Sequence, residues 1–234
     1  MSKYRLVVFD WEGTLVDTLG PIITTLQTEA DRLHYGEIDE VIARQYLMLG
    51  LVVAIKKIFP SLTLTQHEGL LQTAQEALTG RSQEVYLIPG VETILKQIKK
   101  LGMDLAIATN KGHQSLHRAM QHSHIETYFT TTRSAGQTPS KPCPQMLQEI
   151  MDFCAVDSKH TVMIGDSVSD IEMAKELGVD AIGVNFYHQN DQEAVLLSAG
   201  ALTVVDCFQF LANYLKIPMD NDNEVMREYT NQLA

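Results

Sequence analysis

Short apolar runs alternate along this chain with longer segments of helical period, and this alternation constrains the fold more than any other feature. The runs that predict β-strands are Tyr4–Phe9, Asp104–Thr109, Tyr128–Thr132, Thr161–Gly165, Ala181–Phe186 and Leu202–Val205. They are continuously apolar, which is typical of strands buried on both faces. Between them, apolar residues recur every three or four positions, as in residues 91–101 and 146–153. An α/β fold is therefore predicted, with a Rossmann-like parallel sheet core and helices on both faces.

The interval between the first two predicted strands is too long for one crossover helix and is itself helical in pattern. One apolar stripe runs from Leu19 to Leu33 and another from Leu64 to Leu78. We therefore predict a small helical domain at residues 18–86, inserted into a core made of residues 1–17 and 87–217. The polar segment 218–234 is predicted to be a C-terminal tail, either a loose helix or disordered.

Composition narrows the set of partners. The chain has 18 Lys and Arg against 29 Asp and Glu, a net charge of -11, so we expect no nucleic-acid partner. The longest apolar stretch, Leu47–Ile55, is far shorter than the roughly 20 residues that cross a bilayer, so no membrane partner is expected. Without a recognisable export signal, and with three scattered cysteines (Cys143, Cys154 and Cys207), a reducing cytoplasm fits best.

Polar residues cluster where four of the predicted strands end. These segments are residues 10–14, 109–111, 140–142 and 165–170. In an open α/β sheet, ligands bind at the carboxyl ends of the strands. Together the four segments offer a carboxylate nucleophile, hydroxyl and backbone donors, a lysine cation and acidic metal ligands, which covalent phosphoryl transfer requires. Oxygen ligands beside a phosphate favour Mg²⁺.

These segments resemble the signature of the haloacid dehalogenase-like superfamily, and specifically its phosphoglycolate phosphatase-like branch. The nucleophile loop of the family, Asp-x-Asp-Gly-Thr-Leu-x-Asp-Ser, is similar to Asp10-Trp11-Glu12-Gly13-Thr14-Leu15-Val16-Asp17-Thr18. The later matches are Tyr86-Leu87-Ile88-Pro89-Gly90-Val91, Thr109-Asn110-Lys111, Lys141-Pro142-x-Pro144 and Gly165-Asp166-Ser167-x-x-Asp170-Ile171. The resemblance extends from residue 4 to about residue 206 and implies that the helical insertion is a cap domain.

The resemblance implies a role for each matching residue. Asp10 is expected to be the nucleophile that forms an aspartyl phosphate. Thr109 and the backbone of Asn110 are expected to hold the phosphate, and Lys141 to steady both groups. The expected Mg²⁺ ligands are Asp10, the backbone carbonyl of Glu12, and Asp166, with Asp170 in support.

Glu12 departs from the family pattern at a position that governs turnover. The phosphatases and mutases of the family have an Asp there, which protonates the leaving oxygen and then activates water. Glu keeps the acid but moves it by about 1.5 Å, and a misplacement of that size can cost around a hundredfold in rate. We therefore expect slow phosphatase activity.

Several residues allow a second interpretation. Trp11 is expected to line the substrate pocket, although a buried aromatic is an alternative. Gly50 is expected to contact the substrate, because it falls where the family's cap meets its site, and an Arg or Lys near it, such as Arg44, is a candidate for reading a substrate carboxylate. A solvated surface charge is the default for such a residue.

For the remaining candidates the alternatives are structural. Asp166 and Asp170 could only cap a helix, and Lys141 could be an exposed loop lysine. His113 and His117 have the spacing of a zinc pair, but a solvated helix face is favoured because no third ligand is evident.

The expected function is Mg²⁺-dependent hydrolysis of a small phosphorylated metabolite, of the phosphoglycolate or sugar phosphate type, by a monomer or homodimer. A phosphomutase and a phosphonate hydrolase using Lys56 or Lys57 are alternatives on the same fold. A phospho-ligand binding protein impaired at Glu12 is an alternative of another class. Dehalogenation is disfavoured because that chemistry does not need the metal ligands that Asp166 and Asp170 imply.

Overall fold

The computed structural model describes residues 2–47, 49–80 and 85–219. The chain divides into two compact units, one formed by Met1–Val16 with Leu87–Ala234 and the other by Asp17–Tyr86. In the described part of the chain, no helix is both long enough and apolar enough to span a membrane.

The smaller unit is helical and has its own apolar core. Its helices are α1 (Gly20–Arg32), α2 (Glu40–Leu47), α3 (Leu51–Ile58) and α4 (Leu64–Gly80). Fully buried side chains from all four helices meet in its interior, among them Leu26, Ala43, Ile55 and Leu70. Burial of these apolar stripes is what stabilises helices as short as α2 and α3, because isolated helices of this length are marginal in water.

A buried ion pair lies in the same unit. The Arg44 guanidinium donates to both carboxylate oxygens of Asp17, at 3.0 and 2.9 Å, and to Glu40 at 2.7 Å. Its side chain is only 6% exposed. Arg44 is therefore neither the solvated surface charge nor the uncommitted substrate reader that the sequence allowed, because neighbouring carboxylates occupy its donors.

The larger unit contains a six-stranded parallel sheet. Its strands are β1 (Leu6–Phe9), β2 (Asp104–Gly112), β3 (Thr131–Ala135), β4 (Thr161–Gly165), β5 (Asp180–Val184) and β6 (Thr203–Val205). Their order across the sheet is β3-β2-β1-β4-β5-β6, and every pairing is parallel. The order reverses at β1, where the neighbours β2 and β4 place their carboxyl ends on either side of its own end. Such a reversal is where open α/β sheets bind ligands.

Helices and two 3₁₀ turns lie between these strands, and one further helix follows the last strand. The helices are α5 (Val91–Lys100), α6 (His113–Ser123), α7 (Gln145–Cys154), α8 (Val168–Glu176), α9 (Gln192–Ala199) and α10 (Phe208–Leu215), and the turns are Glu126–Tyr128 and Ser158–His160. Side chains from α7, α8 and α9 form one core cluster with Leu6 and Val8 of β1. Val7 and Phe9, which alternate with them, are also fully buried, so both faces of β1 are covered.

The α/β fold and the Rossmann-like parallel sheet are confirmed. The predicted bounds of β4 match the structure, whereas β3 begins three residues later than predicted, at Thr131 instead of Tyr128. Tyr128 belongs to the 3₁₀ turn, and the strand begins where Thr131 pairs with Ala106 of β2. The predicted tail lies, from residue 220 onward, outside the described residues.

Candidate active site

Asp10 follows the last residue of β1 and begins the loop that shapes the site. Its backbone N–H donates to the Ile164 carbonyl of β4 at 2.8 Å, and the residue is 7% exposed. Gly13 turns the loop back with a φ of 75°, and a Cβ atom there would overlap the Asp166 carboxylate. Glycine is therefore needed both for the left-handed conformation and for the close approach of this loop to Asp166.

Lys141 connects two carboxylates beneath this loop. Its ammonium group lies 2.6 Å from Asp10 Oδ1, 2.6 Å from Asp170 Oδ1 and 3.1 Å from the Ala108 carbonyl. All three hydrogens of the ammonium group thus have an acceptor, and the side chain is only 2% exposed. Lys141, which precedes a cis peptide bond to Pro142, is consequently not an exposed loop lysine.

Three aspartates meet around this lysine. One oxygen each from Asp10, Asp166 and Asp170 lies within 4.8 Å of the other two. Asp170 is fully buried, and its second oxygen accepts from the N–H and the hydroxyl of Ser167, at 3.1 and 2.7 Å. Asp170 therefore caps α8 and belongs to the acidic cluster at the same time.

The pKa values of these groups follow from crowding of like charge away from water. Burial raises the pKa of Asp10 to about 6, repulsion from Asp170 adds to the effect, and Lys141 opposes it. Burial, with repulsion from Asp10 and Asp170, also raises the pKa of Asp166 well above its ordinary value. Burial lowers the pKa of Lys141, but Asp10 and Asp170 outweigh burial and bring it to about 12.

This arrangement suits a divalent cation. The cluster has three carboxylates, and Lys141 contributes one positive charge through its contacts with Asp10 and Asp170, so this lysine leaves two negative charges uncompensated when all the acids are ionised. The donors are hard oxygen atoms, which Mg²⁺ prefers. A bound cation would relieve the repulsion that raises the pKa values of Asp10 and Asp166. His113 and His117 belong to no comparable cluster of candidate ligands within residues 2–47, 49–80 and 85–219.

The end of β2 contacts the other segments of the site. Thr109 is 2% exposed, and its hydroxyl oxygen accepts from the Lys111 N–H at 3.1 Å. The side-chain oxygen of Asn110 accepts from the Lys141 N–H at 2.8 Å. Asn110 thereby holds the backbone of the lysine loop, a contact that the resemblance did not predict, since it assigned the backbone of Asn110 to the phosphate.

Glu12 lies at the edge of this group of residues. Its Oε1 atom accepts from Lys111 Nζ at 2.8 Å, and the side-chain exposures of Lys111 and Glu12 are 24% and 47%. The Glu12 carboxylate is not one of the clustered acids, which are Asp10, Asp166 and Asp170. Its predicted metal role used the backbone carbonyl and therefore does not depend on the position of the side chain.

Trp11 and Gly50 are the two remaining predicted substrate contacts. Trp11 is 1% exposed, as the alternative of a buried aromatic anticipated. Gly50 belongs to the helical unit, where it precedes α3 with a φ of 101°.

Sequence inspection missed two contacts that support the site. The side-chain amide of Gln192 donates to the backbone carbonyl of Asp166, and the Lys141 ammonium reaches the Ala108 carbonyl. Neither contact has a signal in the sequence, because one partner in each pair is a backbone oxygen. Lys111 stood within a matched motif, but its contact with Glu12 depends on two side-chain conformations.

Comparison with known proteins matches the site to a family. The sequence model of the haloacid dehalogenase-like hydrolase family matches residues 7–184 of this chain. A phosphoglycolate phosphatase of Mesorhizobium japonicum is 28% identical over 216 residues, which cover 85% of this chain and 93% of that protein. A Dickeya dadantii protein named "Probable phosphatase IndB" is 31% identical over 210 residues, covering 87% of this chain and 90% of that protein.

Solved structures agree on the fold. A predicted phosphoglycolate phosphatase from Haemophilus somnus has a TM-score of 0.63 at 19% identity, covering 92% of this chain and 99% of its own. A hydrolase from Streptococcus pneumoniae has a TM-score of 0.65 at 22% identity, covering 84% and 99%.

The sequence-based assignment to the family and to its phosphoglycolate phosphatase-like branch is therefore confirmed, and the relatives support the prediction of a phosphatase. The match extends over more than half of the chain and includes β2 to β5, all but the first residue of β1, and the site residues that follow these strands. The chain belongs to the haloacid dehalogenase-like hydrolase family.

Proposed function

We propose that this protein is a Mg²⁺-dependent phosphatase that hydrolyses a small phosphorylated metabolite through an aspartyl phosphate on Asp10. The observation that carries the proposal is the buried contact of Lys141 with both Asp10 and Asp170, next to Asp166, at the point where the strand order reverses. This contact leaves a carboxylate nucleophile beside a set of metal ligands and a fixed positive charge, which is what attack on an anionic phosphate needs.

The proposed reaction has two steps. An Asp10 oxygen attacks phosphorus, the phosphorus–oxygen ester bond breaks, and Glu12, acting as the general acid, gives a proton to the leaving oxygen. Water then attacks the aspartyl phosphate, Glu12 takes a proton from the water, and phosphate departs as the Asp10 carboxylate is restored. Lys141 holds the nucleophile in both steps, and Thr109 offers its hydroxyl to a phosphate oxygen.

The cation has a defined place in this proposal. Asp10, Asp166 and the Glu12 backbone carbonyl would hold it, with Asp170 in support. When bound, Mg²⁺ neutralises part of the negative charge that the phosphate and the acidic cluster bring together.

The substrate class is inferred from the relatives. Curated proteins that match most of this chain include phosphoglycolate phosphatases from Mesorhizobium japonicum and Vibrio cholerae. We therefore propose a small phosphate monoester, of the phosphoglycolate or sugar phosphate type. We further propose that residues 18–86 act as a cap that excludes water and selects the leaving group. A cytoplasmic monomer or homodimer stays a prediction.

A panel of phosphate monoesters assayed with Mg²⁺ and with EDTA tests the proposal. We expect phosphate release that needs the metal, and a loss of at least about a thousandfold in Asp10→Asn, because the amide is not a competent nucleophile. Asp152→Asn is the matched control, since Asp152 is a carboxylate on α7 outside the acidic cluster, and it should leave the activity unchanged.

Other results would point to other functions. Equal activity in Asp10→Asn would contradict the covalent route. An isomerised sugar phosphate without free phosphate would indicate a phosphomutase. Trapping of an aldehyde substrate on Lys56 or Lys57 by borohydride would indicate a phosphonate hydrolase. Binding of beryllium fluoride with Mg²⁺, but no turnover on the whole panel, would indicate a binding protein.

A further inference from the structure

Glu12 and Lys111 form a contact between two separate segments of the site. The Glu12 carboxylate belongs to the nucleophile loop and Lys111 to the end of β2, and their charged atoms lie 2.8 Å apart across 99 positions of sequence. Each side chain is partly exposed, at 47% and 24%. An ion pair this exposed contributes little to stability. Stability therefore does not account for this contact.

The backbone of Lys111 is anchored to the site. Its N–H donates to the hydroxyl oxygen of Thr109 at 3.1 Å, and Thr109 is 2% exposed. Asn110, between them, holds the backbone of Lys141. The Lys111 ammonium therefore extends from a segment that is held by Thr109 and, through Asn110, by the Lys141 loop, and it contacts the Glu12 carboxylate from there.

Glu12 needs such an anchor more than an Asp would. Its extra methylene adds a rotatable bond, so a partly exposed Glu samples more positions and holds its carboxyl group in a productive one less often. A cation at a fixed distance restricts that freedom. An Asp at the same position would end about 1.5 Å short of the Glu carboxyl and would lose contact with the ammonium group.

We propose that Lys111 is a positioning residue that holds Glu12 at the place where its carboxyl group serves as the acid and base of the reaction. This inference rests on the proposed function. Lys111 acts through Glu12, so it compensates for the longer side chain and becomes dispensable when position 12 is an Asp.

The effect of the leaving group on kcat/KM distinguishes a positioning role of Lys111 from a purely structural one. A structural role would lower the activity equally with every substrate. Proton donation matters for an alkyl phosphate such as phosphoglycolate, and much less for p-nitrophenyl phosphate, whose leaving group departs as a stable phenolate. In Lys111→Met we expect kcat/KM to fall roughly tenfold with phosphoglycolate, or with the alkyl phosphate that is turned over fastest. With p-nitrophenyl phosphate we expect a change of less than about twofold.

Two further variants complete a cycle. Lys111→Arg keeps the charge and should restore most of the activity. In a Glu12→Asp background, Lys111→Met should change kcat/KM by less than about twofold, so that the two substitutions are not additive. Equal losses with both substrates, or the same loss in both backgrounds, would overturn the proposal. A rise in KM alone would also overturn it, because that result would place Lys111 on the substrate.

A measurement without turnover separates this inference from the proposed function. Trace acetylation followed by mass spectrometry reports how freely each lysine reacts, with the exposed Lys100 as internal reference. We expect Lys111 to react faster in Glu12→Gln and Glu12→Asp than in the wild type, and Asp10→Asn to leave it unchanged. Unchanged labelling in both Glu12 variants would overturn the contact itself, whatever the enzyme assays show.

Discussion

Glu12 occupies a position where the family pattern has an Asp, and we predict that this difference affects the chemistry. Its carboxylate contacts Lys111 and lies outside the cluster of Asp10, Asp166 and Asp170. Because Glu carries the acid one bond further from the backbone, Glu12→Asp should raise kcat/KM for an alkyl phosphate, by up to about a hundredfold. Steady-state kinetics checks this, with Glu12→Gln as the control that should be slower than the wild type. A Glu12→Asp variant no faster than the wild type would mean that Glu is the adapted residue.

Some contacts between residues can be predicted from sequence motifs, and others depend on side-chain conformations that motifs do not specify. Asp10, Asp166, Asp170 and Lys141 were assigned together from strand-end motifs, and the structure brings them together. Parallel strands align their carboxyl ends, so a motif after each strand is sufficient to predict that proximity. The Glu12 to Lys111 contact and the buried Arg44 to Asp17 pair depend on particular side-chain conformations, which no motif specifies.

At the scale of elements, the first turn of α8 combines capping with the acidic cluster. Asp170 accepts from Ser167 with one oxygen and from Lys141 with the other. Asp170→Ala removes the cap and one of two charge partners of a buried lysine, so we expect a loss of about 3 kcal/mol in the free energy of unfolding. Urea denaturation measures it.

Two variants of the same turn test the cause of that loss. Asp170→Asn keeps an acceptor for Ser167 and should lose less stability than Asp170→Ala. Ser169→Ala, which removes only a hydroxyl beside Ser167, should lie within about 0.5 kcal/mol of the wild type. If Asp170→Ala were as stable as Ser169→Ala, the cap and the ion pair would both be unimportant to stability.

The local sequence pattern is not sufficient to predict where a strand begins. Apolarity alone predicted β3 three residues too early, because Tyr128 reads as strand-like in sequence but lies in a 3₁₀ turn. The pairing of β3 with β2 decides where the strand begins and also carries an irregularity between Thr109 and Gly112. Register between separate segments is a tertiary property, so a single strand does not contain it.

At the scale of the whole molecule, the acidic cluster links stability to pH. The pKa of Asp10 is raised from 3.8 to about 6, and that of Asp166 moves in the same direction, so the folded protein binds more protons than the unfolded chain in this window. Without metal, the free energy of unfolding therefore falls as pH rises from about 4 to about 6, because the buried carboxyl groups lose protons that they bind more tightly in the folded protein.

Comparison of the wild type with Asp10→Asn in EDTA isolates the contribution of Asp10. Relative to the wild type, Asp10→Asn should gain about 3 kcal/mol of stability between about pH 4 and about pH 7, because the pKa of Asp10 is about 6 instead of 3.8. Thermal or urea denaturation at several pH values measures the difference. Saturating Mg²⁺ should shrink it, because a cation favours the charged carboxylate. A difference that does not vary with pH would contradict the crowding of buried charge.

By itself, the sequence determined the α/β class, the parallel sheet, the family and the set of acidic and basic groups at the strand ends. Those properties follow from local periodicity and from short motifs, because a run of apolar residues or a loop of polar ones carries its meaning within a few positions. Tertiary structure alone decided that Lys141 contacts two carboxylates, that Asp170 caps a helix and joins the acidic cluster, and that Lys111 reaches Glu12. These contacts join atoms from distant segments, so they exist only once the sheet has aligned the strand ends.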